Sequence, residues 1–145
     1  MAAEVLIDTG AILALIDKSD EWHQVCVRAL PRLPLPFLTS EAVVTELFHF
    51  LDRQRLNKEP AWKFLHTGII SLASIQHAEL RHLQRLISRY SDRPMDFADA
   101  TLVYLAERES IDAIFTVAGP DFSIYRIAGK RHFHVFPLER PSAAE

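Results

Sequence analysis

Short apolar runs alternate with longer amphipathic stretches along most of this 145-residue chain. The apolar runs predict strands, and the stretches with apolar residues at helical spacing predict helices. The predicted strands are Val5–Ile7, Pro36–Thr39, Ile69–Ile75, Ala113–Val117 and His132–Phe136. Because helices separate these strands, the pattern predicts parallel crossovers and a three-layer α/β/α sandwich.

The predicted helices begin and end at recognisable cap and stop residues. They span Thr9–Asp17, Asp20–Leu30, Ser40–Arg55, Glu59–Thr67, His77–Tyr90 and Pro94–Glu109. Thr9 and Ser40 are the predicted N-caps of the first and third helices. Gly10 lies where the backbone has to stay close to the end of the first strand. We expect a single domain over residues 1–140, followed by a short flexible tail at 141–145.

Composition excludes several classes of protein. The single cysteine, Cys26, excludes an internal disulfide and a cysteine-rich zinc site, and we expect it to pack as a small apolar residue. No apolar stretch reaches the roughly 20 residues that a membrane span needs, and the N-terminus lacks the basic region of a signal peptide. We therefore expect a cytoplasmic protein without a membrane partner.

Acidic residues recur where strands end or helices begin. Asp8 closes the first strand, Glu46 lies just over a turn into the third helix, and Asp96 and Asp99 open the last predicted helix. Asp121 follows the fourth strand. In parallel sheets, ligands bind beyond the carboxyl ends of the strands. Crowded carboxylates repel each other unless a cation neutralises them, and Mg²⁺ or Mn²⁺ prefers such oxygen ligands.

Each of these acids also has an ordinary structural interpretation. Asp8 is either a metal ligand or a helix cap, and Glu46 faces either inward or solvent. Asp96 fits the N-cap position with Asp99 facing the pocket, whereas Asp121 after Gly119-Pro120 is equally a turn residue.

The hydroxyl and carboxyl groups beside these acids are likewise ambiguous. Thr116, at the end of the fourth strand, either bonds a phosphate or a water on a metal, or packs in the strand. Glu41, in the first turn of the third helix, is expected to interact only with the helix dipole.

These segments resemble the PIN-domain nuclease family, and within it the VapC-like toxins of toxin–antitoxin modules. The matching segments are Val5-Leu6-Ile7-Asp8-Thr9, Thr45-Glu46-Leu47, Met95 through Leu102, and Ile114-Phe115-Thr116 followed by Asp121-Phe122. Each motif is short and weak by itself. Four of them in order, over nearly the whole chain, are fairly specific.

The resemblance implies a four- or five-stranded parallel sheet and an endoribonuclease that depends on Mg²⁺ or Mn²⁺ and uses a metal-activated water. It implies catalytic roles for Asp8, Glu46, Asp99 and Thr116. It implies metal ligation by Asp8, Glu46 and Asp99, with Asp96 and Asp121 as further ligands. It also implies an RNA substrate, a cognate antitoxin and a homodimer.

The chain departs from the family pattern at Ala118, where the family commonly has an aspartate two residues after the threonine. Asp121 is the next acid and is the substitute we expect, directly or through water. Loss of the usual fourth acid also supports an alternative function, in which a catalytically weak PIN-like module binds metal, RNA or protein. A receiver-like phosphoacceptor domain is a further alternative, but the chain lacks the acid pair that such domains place after the first strand.

Local basic and aromatic groups are the candidates for contacts with partners, because the net charge of −3 does not favour RNA binding. Arg81, Arg85 and Arg89 recur every four residues on one predicted helix, either as a solvated face or as phosphate contacts. Arg53, Arg55 and Lys58 form a second basic cluster, which either binds phosphate or complements a helix C-terminus. The aromatic candidates are Trp22, Phe50 and Trp62, for which core packing is the alternative.

Overall fold

Strands and helices alternate as the sequence predicts in a computed structural model that describes residues 2–93 and 95–142. The strands are β1 (Val5–Ile7), β2 (Phe37–Ser40), β3 (Ile70–Ala73), β4 (Ala113–Phe115), β5 (Arg126–Ile127), β6 (Arg131–His132) and β7 (His134–Phe136). The helices are α1 (Thr9–Ile16), α2 (His23–Ala29), α3 (Glu41–Arg53), α4 (Glu59–His66), α5 (Leu80–Arg89), α6 (Phe97–Arg108) and α7 (Gly119–Phe122). Short 3-10 helices occupy Leu30–Arg32 and His77–Glu79.

Five strands form a parallel sheet in the order β3-β2-β1-β4-β7. Leu6 at the centre of β1 pairs with Leu38 on one side and with Ile114 on the other. All residues of β1 and β2 are buried, as expected when helices cover both faces of a parallel sheet. The parallel sheet of an α/β/α fold is therefore confirmed.

The order of the strands reverses beside β1. From β1 the chain moves outward through β2 to β3, and it then returns to place β4 on the other side of β1. The connections that leave β1 and β4 therefore diverge, and open α/β sheets bind ligands in the crevice at such a point. Asp8 and Thr116 are the first residues after these two strands.

The core packs the sheet against α1, α3 and α6. Its largest fully buried side chains include Phe37, Phe115, Leu47 and Leu102. The rings of Phe37 and Phe115 meet edge to face with their centroids 5.5 Å apart. Cys26 is also buried, and burial raises the pKa of its thiol to about 12, so the predicted packing role is confirmed.

The predicted strand His132–Phe136 is wrong in its first half. Arg131 and His132 pair antiparallel with Arg126 and Ile127 in a separate two-stranded sheet, and only β7 joins the large sheet. Ala128 and Gly129 join β5 to β6 with φ values of 53° and 73°. Positive φ at both central residues defines a type I′ turn, whose twist matches a tight hairpin.

Several helix boundaries differ from those predicted. Asp8, not Thr9, is the N-cap of α1, because its side chain accepts a hydrogen bond from the Thr9 backbone. The predicted caps Ser40 and Asp96 are confirmed, and the helix that was expected from Pro94 begins at Phe97.

The predicted domain bounds extend over residues that the structure does not describe. Residues 1, 94 and 143–145 lie outside the described residues, so a single domain over 1–140 with a tail at 141–145 stays a prediction. None of the helices described is long and apolar enough to cross a membrane.

Gly10 is confined by the end of β4. A Cβ at Gly10 would overlap Cγ2 of Val117. We expect Gly10→Ala to destabilise the protein by roughly 1–2 kcal/mol, because the overpacking exceeds the helix propensity that alanine adds. Urea unfolding measures this change in the free energy of unfolding.

Gly68→Ala is the matched control, because no atom lies within 4 Å of the Cβ it would add. The double variant Gly10→Ala, Val117→Ala should recover most of the lost stability. If Gly10→Ala is as stable as Gly68→Ala, the close approach does not constrain this turn.

Candidate active site

Asp8 is a buried carboxylate held in one orientation. Its Oδ1 accepts a hydrogen bond from the Thr9 backbone N–H at 2.8 Å, and its Oδ2 accepts one from the Thr116 hydroxyl at 3.0 Å. Only 7% of the Asp8 surface and 1% of the Thr116 surface is exposed. The Thr116 hydroxyl in turn accepts from the Ala118 backbone N–H. The divergent connections after β1 and β4 are therefore joined through these two side chains.

Glu46 reaches the same edge of the sheet from the second turn of α3. The Thr9 hydroxyl donates a hydrogen bond to its Oε1 at 2.9 Å, and the Asp96 carboxyl lies within hydrogen-bonding range. The Glu46 side chain thus contacts both the start of α1 and the start of α6. Glu41, by contrast, is exposed in the first turn of α3, as predicted.

Asp96 and Asp99 form a reciprocal capping box at the start of α6. Asp96 Oδ1 accepts from the Asp99 backbone N–H at 2.8 Å, and Asp99 Oδ2 accepts from the Asp96 backbone N–H at 3.3 Å. Asp99 is partly buried and Asp96 is exposed. The capping box holds Asp99 at the N-terminal end of the helix, where the charges of Asp8 and Glu46 act on it.

Asp121 lies at the edge of this group of acids. It is partly buried on the short helix α7, and its charge acts on both Asp8 and Tyr125. Ala118 is the N-cap residue of that helix and provides no carboxylate. Asp121 is therefore the only candidate among the described residues of α7 for the role of the missing acid.

Two residues of the site were missed from the sequence. The Tyr125 hydroxyl donates to Asp99 Oδ2 at 3.4 Å, although only 1% of the tyrosine is exposed. Burial and the charge of Asp99 raise the pKa of Tyr125, so it remains a hydrogen-bond donor at neutral pH. The other is Thr9, whose hydroxyl contacts Glu46. The position of Thr9 directly after Asp8 could have identified it from the sequence. Tyr125 belongs to none of the sequence motifs and could not have been identified in this way.

The crowded acids raise one another's pKa values. Burial, the hydrogen bond with Asp96 and the charges of Asp96 and Asp8 raise the pKa of Glu46 to about 7. Burial and the charges of Asp96, Asp8 and Glu46 raise the pKa of Asp99 to about 7. Burial also raises the pKa of Asp8, although its bonds to Thr9 and Thr116 oppose this shift. The five predicted acids thus share one electrostatic environment.

The chemistry of this donor set fits a hard divalent cation, because the ligands are all oxygens and their mutual repulsion would be relieved by positive charge. The acids are nonetheless engaged with protein groups. Among residues 2–93 and 95–142, no three His, Cys, Asp or Glu side chains are already gathered closely enough to hold a metal ion. Ion binding would therefore require Glu46 or Asp99 to turn away from its present partners.

A hydrogen bond between the buried hydroxyls of Ser40 and Thr101 links the helices that carry Glu46 and Asp99. Thr101 donates to the Ala98 carbonyl at 2.6 Å, which uses its only hydroxyl hydrogen. Ser40 must therefore donate to Thr101 Oγ1, 2.7 Å away, while its own oxygen accepts from the Val43 backbone N–H. The start of α3 and the first turns of α6 are thus fixed relative to each other.

Phe50 and Trp62, unlike most aromatic side chains of the chain, are substantially exposed, at 40% and 45%. Core packing is therefore not their role, whereas Trp22 is partly buried and packs against the core. Phe50 lines an open groove with Glu46, His49 and Arg53, which connects this apolar surface to the acidic site.

The raised pKa of Asp99 predicts that stability depends on pH. The unfolded carboxyl loses its proton near 3.8 and the folded one near 7, so the stabilising contribution is complete below about pH 4 and is lost as the pH rises to about 7. Asp99→Asn should therefore unfold at higher temperature than the wild type at alkaline pH without metal. We expect a gain of roughly 1–2 kcal/mol after allowance for solvent screening.

Thermal unfolding of both proteins across this pH range measures the effect. Asp92→Asn, which removes an exposed carboxyl in the loop before α6, controls for the loss of one negative charge. A gain for Asp99→Asn that does not change with pH would show that repulsion among the acids is not its cause.

Removing the Thr101 hydroxyl should leave the buried hydroxyl hydrogen of Ser40 without an acceptor. We expect Thr101→Val to cost roughly 1–3 kcal/mol in urea unfolding. The double variant Ser40→Ala, Thr101→Val should be less destabilised than the sum of the single variants, with a coupling of about 1 kcal/mol. Thr45→Val, which removes an exposed hydroxyl from α3, is the control. If the losses of stability of the two single variants simply add in the double variant, the two hydroxyls do not stabilise each other.

Comparisons with known proteins agree with this geometry. Residues 5–128 match the family model of the PIN domain. The ribonuclease VapC26 of Mycobacterium tuberculosis is 30% identical over 135 residues, which are 92% of this chain and 100% of that protein. A crystal structure of the M. tuberculosis toxin VapC20, described as cleaving the sarcin-ricin loop, matches with a TM-score of 0.68 over 76% of this chain and 86% of its own.

The two relatives support different conclusions. VapC20 is only 20% identical and therefore shows the fold alone. The family match covers every acid of the site, from Asp8 to Asp121, and VapC26 is similar along nearly its whole length. The predicted resemblance is confirmed, and the chain belongs to the PIN domain family.

Proposed function

We propose that this protein is an endoribonuclease that depends on Mg²⁺ or Mn²⁺ and acts as the toxin of a toxin–antitoxin pair. The observation that carries the proposal is the convergence of Asp8, Glu46 and Asp99 at the point where the strand order reverses, with the pKa of the last two raised to about 7. Perturbed carboxylates in a crevice of this kind are typical of catalytic sites. The similarity to a ribonuclease, VapC26, supports RNA as the substrate.

The acids divide into a fixed group and an adjustable group. Asp8 is fixed by Thr9 and Thr116, so its carboxylate is already oriented before any ligand binds. Glu46 and Asp99 hold protons below about pH 7 and must release them to accept a cation. We propose Asp8, Glu46 and Asp99 as ligands of a first ion, with Asp96 and Asp121 as further ligands.

When bound, the divalent ion would lower the pKa of a water molecule and offset charge on the phosphate. The protein groups orient the carboxylates that this chemistry needs. Thr116 keeps Asp8 in place, and Tyr125 donates a hydrogen bond to Asp99. Since Thr116 already uses its hydroxyl hydrogen on Asp8, we propose that it acts by positioning this carboxylate.

The partners follow from the similarity to VapC proteins. We propose a cognate antitoxin, a homodimer and a cytoplasmic location. The exposed side chains Phe50, which lines the groove beside Glu46, and Trp62 are the described residues that we propose for an apolar protein contact.

A second candidate is a module that binds metal, RNA or protein without cleavage. It is favoured by Ala118, which leaves α7 without the usual acid, and by carboxylates that are not yet gathered around one ion position. Mn²⁺ binding by itself is compatible with both candidates, so turnover is the property that separates them.

The proposal predicts metal-dependent cleavage of RNA by the purified protein. We expect cleavage with Mn²⁺ and none after chelation. Asp8→Asn and Asp99→Asn should each lower the rate by at least about 100-fold, because each removes a charge from the ion site. Calorimetry should show weaker Mn²⁺ binding in both variants. In the wild type, affinity should increase as the pH rises through about 7, where Glu46 and Asp99 lose their protons.

Glu41→Gln is the matched control, because it removes an exposed carboxylate from α3, the same helix that carries Glu46. It should leave both cleavage and Mn²⁺ affinity unchanged. Mn²⁺ binding without cleavage of single-stranded or structured RNA would favour the binding module. Unchanged Mn²⁺ affinity in a folded Asp8→Asn, Asp99→Asn variant would refute the assignment of ligands.

A further inference from the structure

Two segments of the chain that contain no acidic residue are rich in basic residues, although the protein has a net charge of −3. They are residues 80–91 and residues 122–138. The first carries Arg81, Arg85 and Arg89, and the second carries Arg126, Lys130 and Arg131. Six of the 16 lysines and arginines of the chain therefore lie in two acid-free segments that are separated by 30 residues in sequence.

The fold brings these two segments side by side. The backbone N–H of Arg126 donates to the Tyr90 hydroxyl at 2.9 Å, and the rings of Tyr90 and Tyr125 meet with their centroids 5.0 Å apart. Nη1 of Arg89 lies 3.1 Å from the position that a Cβ of Gly129 would occupy. The C-terminal half of α5 and the β5–β6 hairpin thus form one continuous surface.

The type I′ turn at Ala128 and Gly129 determines where the hairpin presents its charges. It is closed by a hydrogen bond from the Lys130 N–H to the Ile127 carbonyl at 3.0 Å. Lys130 and Arg131 follow the turn directly, and both are exposed. Arg85 and Arg89, also exposed, are about 6 Å apart along the axis of α5. We call these four side chains the α5–hairpin surface.

The α5–hairpin surface forms no ion pairs with the described acids, and Glu107, which lines a groove with Arg85 and Arg89, lies 2.9 Å from His82 instead. None of its four side chains forms an ion pair with another described residue, whereas Lys58 of the other basic cluster pairs with Asp52. Arg126 differs from the four, because its guanidinium donates to the carbonyls of Ser123, Ile124 and Tyr125. Like-charged groups held together without ion pairs indicate a site for an anion.

Tyr125 connects the acidic site to the hairpin that carries Lys130 and Arg131. The Tyr125 hydroxyl reaches Asp99, and the next residue starts β5. None of the large apolar side chains that are exposed in the described chain belongs to this surface. Protein interfaces usually depend on such apolar anchors, whereas contacts to nucleic-acid phosphates need mainly charge.

We propose that Arg85, Arg89, Lys130 and Arg131 bind the phosphate backbone of the RNA beyond the scissile bond. The inference rests on the proposed function, because it takes the acidic site as the position of the cleaved phosphodiester. The preferred substrate is then an RNA that extends several nucleotides past that bond, and very short RNAs do not gain these contacts. Arginine suits this role because its planar guanidinium binds phosphate through two donors.

Binding of labelled RNA tests the proposal in an Asp8→Asn background, in which cleavage is suppressed. The quadruple variant, called the α5–hairpin variant, carries Arg85→Gln, Arg89→Gln, Lys130→Gln and Arg131→Gln. It is compared with its parent on an RNA hairpin of about 30 nucleotides and on a single-stranded RNA of about 4 nucleotides. We expect at least about tenfold weaker binding of the longer RNA and a flatter salt dependence, by roughly 0.7–0.9 in log–log slope per lost contact. Binding of the short RNA should not change.

The matched control replaces four exposed basic residues elsewhere, Lys18, Arg28, Arg32 and Lys63, by glutamine. It makes the same change in net charge, so equal losses in the two quadruple variants would overturn the proposal. Unchanged affinity and slope for the longer RNA would also overturn it. Preferential binding of polyglutamate, lost in the α5–hairpin variant alone, would assign the surface to an acidic protein instead.

Cleavage assays separate this inference from the proposed function. With Asp8 intact, the α5–hairpin variant should retain Mn²⁺-dependent cleavage of the short RNA and lose efficiency on the long one through a higher KM. If the wild type cleaves both RNAs and the variant cleaves them equally well, only the RNA-binding surface is refuted. If the wild type cleaves neither RNA while the binding difference persists, only the nuclease proposal is refuted.

Discussion

The rest of the site depends on a carboxylate buried at the end of the central strand. Asp8 can remain there because it accepts hydrogen bonds from the Thr9 backbone and from Thr116. An unpartnered carboxylate in that position would be costly. The bond with Thr116 also joins the loops after β1 and β4, at the point where the strand order reverses. A single buried acid therefore joins the two loops of the crevice and, in the proposed function, would provide its first oxygen ligand.

Function and stability oppose each other at this site. Glu46 and Asp99 are brought towards Asp8 by the starts of α3 and α6, and their repulsion raises their pKa values to about 7. Crowding of this kind destabilises a metal-free protein at alkaline pH. The capping box at Asp96 and the buried Ser40–Thr101 pair stabilise the starts of these helices and oppose this destabilisation. The same repulsion would favour a divalent cation, so the strain and the proposed activity have one origin.

Charge is separated across the molecule in a way that suits an anionic polymer. The acidic pocket would repel RNA unless cations occupied it, and the α5–hairpin surface would attract RNA beside it. Tyr125 lies at the boundary, with its hydroxyl on Asp99 and its backbone leading into the hairpin. In the proposed function, one surface would hold the backbone while the other would act on a single phosphodiester.

The sequence by itself determined the parallel α/β architecture, because buried apolar runs separated by amphipathic helices have few other ways to pack. The sequence also indicated that Asp8, Asp96 and Asp99 lie at the ends of strands and helices, because capping and strand termination follow local rules. Three features depended on tertiary structure: the contact of Tyr125 with Asp99, the pairing of Ser40 with Thr101, and the hairpin that divides His132–Phe136. The first two are contacts between residues that are distant in sequence, and the third is a tight reversal of the chain. Neither kind of feature produces a periodic pattern of apolar residues. Local periodicity thus specified the elements, and packing between them decided which side chains meet.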